Sequence, residues 1–191
     1  STILTNVEAL PDGLVVWRSL THWIGGVGVV LFALMILPSL GKTRTTLYSV
    51  ELSSFAKDNF HFQTQKIIRV LLTVYIGLTA CCTVLLKIVG MDWFDAVNHS
   101  FASIATGGFS TKNASIAEYD NFGIEAILTL FCFLSGLHFG LIYSTFTGSR
   151  NNIFRSDVAR YYFLFTAACS IALAINLSVE GIYSSFWEAL R

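Results

Sequence analysis

The chain has 191 residues, of which 54% are hydrophobic and 13% charged, with a mean hydropathy of +0.64 and a formal net charge of +0. Soluble domains carry about 25% charged residues, so this composition excludes an ordinary soluble domain and points to an integral membrane protein. The balanced charge provides no bulk attraction for nucleic acid.

In chain order, the opening "STILTNVEALPDG" has neither a basic region nor a starting Met. It reads as the interior of a longer protein rather than as a targeting segment. Residues 14–40 form the first apolar segment, interrupted by Arg18, His22, Gly25, Gly26 and Gly28. Further apolar segments cover 67–90, 122–147 and 161–179. Each meets the roughly 20 residues that a membrane-crossing helix requires, so the expected fold is all-α and integral to the membrane. Glycines and polar side chains in the first and third segments mark them as facing protein rather than lipid.

Basic residues cluster between the spans. Lys42, Arg44, Lys57, Lys66 and Arg69 lie in or beside the loop before the second span, and Arg150, Arg155 and Arg160 lie before the fourth. Glu8, Asp12, Asp92, Asp95, Glu118, Asp120, Glu180 and Glu188 fall on the other side. Basic loops mark the cytoplasm, which puts both termini and residues 102–113 outside.

Residues 90–122 neither cross the membrane nor read as a plain loop. Trp93, Phe94, Ala96, Val97, Phe101 and Ile104 recur at helical spacing, predicting a helix over 93–105. Asp92 is its expected N-cap and Asp95 the matching member of a capping box. At about 20 Å it is too short to cross a bilayer. Its C-terminus carries partial negative charge and would favour a cation. Ala105, Thr106, Gly107, Gly108 and Phe109 follow. There the glycines would admit positive φ, allowing the carbonyls of Thr106, Gly107 and Gly108 to replace the hydration shell of an ion. Gly107-Gly108 alone would read as merely a turn. The ordered sequence of span, half-helix, TGGFS, polar segment and span favours a pore loop.

The chain also repeats itself. Phe94-Asp95-Ala96-Val97 recurs 93 residues later as Trp187-Glu188-Ala189-Leu190, and Leu71 and Thr73 match Leu164 and Thr166 at that offset. "WIGGVG" matches "FLSGLH" 110 residues on. One complete helix–pore loop–helix unit is therefore flanked by parts of two others.

The motifs "WRSLTHWIGGVGVV", "GMDWFDAVNHSFASIATGGFSTKN" and "FWEALR" resemble the ion-translocating membrane subunits of the Trk/Ktr/HKT superfamily, the bacterial Trk type in particular. The resemblance covers nearly the whole chain. It implies four helix–pore–helix repeats in a complete protein, with Gly108 as the filter glycine flanked by Ala105, Thr106, Gly107 and Phe109. On that basis residues 1–40 end repeat one, 67–147 form repeat two and 161–191 open repeat three, with cytoplasmic loops at 41–66 and 148–160. It also implies potassium as the transported ion, no cofactor and a multi-pass location in the bacterial inner membrane. Its implied partners are membrane lipid, the remaining repeats of the same chain, a second copy in a homodimer and a cytoplasmic nucleotide-binding regulatory ring.

Other residues carry less. Cys81, Cys82, Cys132 and Cys169 lie in apolar runs and read as small buried hydrophobes. His22, His61, His99 and His138 are too scattered to suggest a metal site. His138 suggests a helix-packing hydrogen bond, Arg18 a snorkelling residue beside an acid, and Gly25, Gly26 and Gly28 close helix packing. Glu118, Asp120 and Glu125 could concentrate cations or simply be solvated. With no nucleophile–base pair or metal-ligand spacing in view, an enzyme is not expected. A potassium-conducting subunit, a less selective Na⁺/K⁺ transporter and a non-conducting scaffold remain.

Overall fold

The computed structural model describes residues 6–41, 55–146 and 153–180. They divide into two units, Ser1–Gly140 and Leu141–Arg191. The basic stretch 42–54, residues 147–152 and the repeat start at Phe186–Arg191 lie outside the described residues.

Helix α1 (Asp12–Gly41) covers the first expected span and runs unbroken through Gly25, Gly26 and Gly28. Helix α2 (Phe55–Ile88) begins well before the apolar segment. Its membrane-crossing part is Ile68–Ile88; the polar turns ahead of it, within the segment expected to be a loop, are an extension of the helix. The helix ends at Gly90, where the amides of Gly90 and Met91 bond back to the carbonyls of Lys87 and Leu86, with Gly90 at φ 108°. This lock requires a residue with positive φ, and glycine adopts one freely.

Helix α3 (Trp93–Ile104) is the expected half-helix, with Asp92 as its N-cap accepting from the Phe94 amide at 3.2 Å. Asp95 does not complete a capping box: its carboxylate is engaged with residues beyond the helix, as described below. Helix α3 is buried around most of its circumference, between α1, α2 and α4 (Phe122–Ser135). Ala96, Ser100, Ala102 and Ser103 keep that approach close. Ser100 bonds its hydroxyl to the Ala96 carbonyl at 2.7 Å, while Ser103 reaches Cys132 Sγ at 3.1 Å on α4. The apolar core contains Tyr75, Leu86, Met91, Ile104, Leu128 and Phe131.

The third expected span is two helices, α4 and α5 (Phe139–Phe146), broken after Ser135. Leu137 bonds back to the Leu134 carbonyl, and the Gly140 amide donates to His138 Nδ1 at 3.1 Å. His138 thus caps the start of α5 instead of packing helices together. In the second unit α6 (Asp157–Val179) begins four residues before the expected 161 and is apolar and exposed along nearly its whole length. Exposed Phe163, Leu164, Phe165, Leu173 and Val179 suit a hydrocarbon environment, where a helix satisfies its own backbone.

Three of the four cysteines differ from expectation. Only Cys82 is buried, whereas Cys81, Cys132 and Cys169 are exposed on their helices. Of Gly25, Gly26 and Gly28, Gly26 alone is needed for packing: a Cβ there would lie 2.9 Å from Tyr75 Oη and 3.1 Å from Ala105 Cβ, while Gly25 and Gly28 face open space.

Candidate functional site

The candidate site is the reversal that follows α3. The amides of Thr106 and Gly107 bond to the carbonyls of Ser103 at 3.0 Å and Ala102 at 2.8 Å, the same double lock that ends α2. Here the residue with positive φ is Thr106, at 53°. The left-handed region disfavours a β-branched side chain, and the Thr106 hydroxyl donates to the Ala105 carbonyl at 2.8 Å. Residues 107–110 then run without regular secondary structure, with Gly108 at φ 68°. The expectation that both glycines supply positive φ is therefore corrected: Thr106 and Gly108 do so, and Gly107 does not. Gly107 is required for another reason, because a Cβ would collide with the His22 ring. Among the described residues, no hydrogen bond ends on the carbonyl oxygen of Thr106, Gly107 or Gly108.

Helix α1 forms one wall. Arg18, His22 and Gly26, spaced four residues apart on one helical face, all meet the reversal. The Arg18 guanidinium carbon lies 3.9 Å from the Phe109 ring centroid, and the His22 ring meets the same ring edge-on at 4.3 Å. Among the described residues, the partner of Arg18 is thus an aromatic ring of the loop rather than the acid expected. A cavity of about 530 Å³ lies against the C-terminal end of α3, lined by His22, Gly26, Tyr75, Ile104, Ala105 and Thr106 among others. The partial negative charge of the helix end is directed there.

In the outward limb, residues 110–113 are each held by hydrogen bonds. Thr111 donates to Asp95 Oδ1 at 2.7 Å, and the Tyr119 hydroxyl donates to Asp95 Oδ2 at 2.7 Å. His99 Nδ1 lies 2.8 Å from the Asp95 carbonyl, which can only accept, so Nδ1 carries the proton. Nε2 is then the acceptor for the Ser110 hydroxyl at 3.0 Å, and the Lys112 amide donates to that hydroxyl oxygen at 3.1 Å. Burial holds the His99 pKa below its ordinary value, against the opposing pull of its bond to the Asp95 carbonyl. Burial likewise pushes the Tyr119 phenol upward, keeping it a donor. Further out, the Asn113 side chain accepts from the Val7 amide at 2.8 Å and donates to Asn6 Oδ1 at 2.9 Å.

The linear sequence singles out Ala105 to Phe109 as candidates but not the frame that surrounds them. The four-residue spacing of Arg18, His22 and Gly26 was a usable signal. Nothing in the linear order pairs Asp95 with Thr111 and Tyr119. Glu118 and Asp120 are exposed at the outer end of the limb. Among the described residues, no three His, Cys, Asp or Glu side chains gather as a metal site.

A family profile described as "TrkH: Cation transport protein" matches residues 1–186. The Trk system potassium uptake protein TrkH of Escherichia coli K12 is 37% identical over 187 residues, covering 97% of this chain and 39% of that protein. The Halomonas elongata protein of the same name is 33% identical over 193 residues, covering all of this chain and 40% of its own length. The crystal structure of the potassium transporter TrkH from Vibrio parahaemolyticus superposes with a TM-score of 0.79 at 26% identity, over 100% of this chain and 38% of that one. The chain thus spans about 40% of the length of the curated relatives it matches. The described residues share the helical membrane fold of that structure. The chain belongs to the TrkH family of cation transport proteins, which are transporters and not enzymes.

Proposed function

We propose that this chain contributes one complete pore loop, and parts of two others, to a protein that takes up potassium across the bacterial inner membrane. The observation that carries this reading is the reversal after α3. A half-helix ends in non-helical backbone, and the carbonyls of Thr106, Gly107 and Gly108 accept no hydrogen bond among the described residues. Carbonyls left free in this way can substitute for an ion's hydration shell. Family membership and the names of the relatives support potassium as the cargo.

In this reading a dehydrated potassium ion passes along Ala105 to Phe109, stabilised by the carbonyls of Thr106, Gly107 and Gly108 and by the C-terminal dipole of α3. The membrane potential would drive it inward with about 2.3 kcal/mol per 100 mV for each charge. No cofactor takes part. The remaining repeats of the same protein complete the ring, residues 1–40 and 161–191 belong to the neighbouring repeats, and lipid covers the outer helices. A second copy forms a homodimer, and a cytoplasmic nucleotide-binding ring regulates the assembly.

Expression of the full-length protein in a strain lacking potassium uptake tests the proposal. Growth on low potassium, with uptake of potassium exceeding that of sodium, is the expected result. Equal uptake of both ions would make it a general monovalent-cation transporter, and no uptake of either would leave the pore-loop fold as a scaffold.

A further inference from the structure

The segment from Thr106 to Thr111 is fastened at both ends to one rod. Its inner end is locked to the last turn of α3 through the carbonyls of Ala102 and Ser103. Its outer end is fastened to the first turns of the same helix, where Thr111 meets the Asp95 carboxylate and Ser110 meets His99. The rise along α3 from Asp95 to Ala102 is about 10 Å, whereas five extended residues reach about 17 Å. Chain length alone therefore leaves several ångströms of slack, and side-chain contacts decide the course of the limb.

Asp95 is the hub of those contacts. It is buried, it lies in the N-terminal turn where the helix dipole favours a carboxylate, and it uses both oxygens. Its two hydroxyl partners sit at 2.7 Å, the length of a charge-assisted bond. Thr111 belongs to the limb itself and Tyr119 to the 3₁₀ turn Ser115–Tyr119 that follows it. One side chain thus holds both the outgoing backbone and the turn that leads back to α4.

We propose that Asp95 is a positioning residue for ion selectivity: through the Thr111 and Tyr119 hydroxyls it sets the path of residues 106–111 and hence the spacing of their carbonyls. The proposal rests on residues 105–109 being the filter. Asp95 touches no ion; it acts through the limb.

The experiment uses the full-length protein in liposomes, with the potassium/sodium permeability ratio read from reversal potentials. Gly108→Ser serves as the filter control. Thr111→Val and Tyr119→Phe each remove one donor with little change of shape, so the test survives if Asp95→Asn fails to assemble. Thr111→Val is expected to lower the ratio about tenfold, equivalent to ~1.4 kcal/mol, with total cation flux largely retained. Tyr119→Phe and Asp95→Asn should change it in the same direction, and Thr111→Ser, which keeps the hydroxyl, should retain the original ratio. If Gly108→Ser alters the ratio but Thr111→Val does not, the role of Asp95 is overturned and the filter stands. Equal losses in Thr111→Ser and Thr111→Val would also overturn it, since packing and not the hydroxyl would then matter. An unaltered ratio in Gly108→Ser overturns the filter reading and this proposal with it.

Discussion

Gly107 and Gly108 are adjacent and chemically identical, yet the structure requires them for different reasons. At Gly107 the constraint is the His22 ring, which occupies the space of a Cβ. Gly107→Ala in the full-length protein should therefore cost about 1–3 kcal/mol of stability, as overpacked sites do, and reduce flux. His22→Ala in the same protein should restore much of both, because it empties the contested space. Thermal unfolding in detergent and ion uptake check this; an undiminished Gly107→Ala protein would show that the ring yields freely. At Gly108 the surroundings are open and the constraint is the backbone, at φ 68°. A Cβ in the left-handed region costs roughly 1–2 kcal/mol, or else the backbone rotates. Gly108→Ser should thus weaken potassium/sodium discrimination more than total flux, as reversal potentials under paired gradients would reveal. An unchanged ratio in a normally inserted protein would remove Gly108 from the filter.

At the scale of elements, α3 was legible because its apolar periodicity, its Asp92 cap and its length are all local. Its depth of burial was not, since the buried Asp95 and His99 bond to Thr111, Tyr119 and Ser110 beyond the helix. Helix α1 shows the same division. "WIGGVG" announces close packing, but only Gly26 provides it, against Tyr75 of α2 and Ala105 at the end of α3. The Tyr75 hydroxyl is itself fixed there, donating to the Trp23 carbonyl at 3.0 Å. Gly26→Ala is expected to force these elements apart and lower stability by about 1–3 kcal/mol, whereas Gly28→Ala, which meets nothing within 4 Å, should stabilise α1 slightly or leave it unchanged. Paired melting temperatures of the two full-length variants decide this. If Gly28→Ala cost as much as Gly26→Ala, the proposed contact would not be what distinguishes them.

At the scale of the molecule, the proposed function gives the described residues one complete pore loop, while carbonyl filters draw on about four. The isolated chain in liposomes should therefore pass no selective potassium current, whereas the full-length protein should. Selective current from the isolated chain, without assembly into rings, would contradict the single-loop reading. The exposed apolar residues of α6 belong to the same argument, because they suit lipid or a neighbouring repeat and would aggregate in water.

The sequence by itself determined the membrane class, the approximate helical segments apart from the break after Ser135, and the place of the half-helix and its reversal. Composition, hydropathy and helical periodicity are sums over neighbouring residues, and they survive without knowledge of the fold. It also carried the family resemblance, through motifs that are contiguous. The tertiary structure alone decided that Thr106 and not Gly107 takes the left-handed turn, that Arg18 and His22 close on Phe109, and that Asp95 gathers Thr111 and Tyr119. Each of these depends on elements separated along the chain meeting at hydrogen-bond or van der Waals distance, which no local pattern encodes.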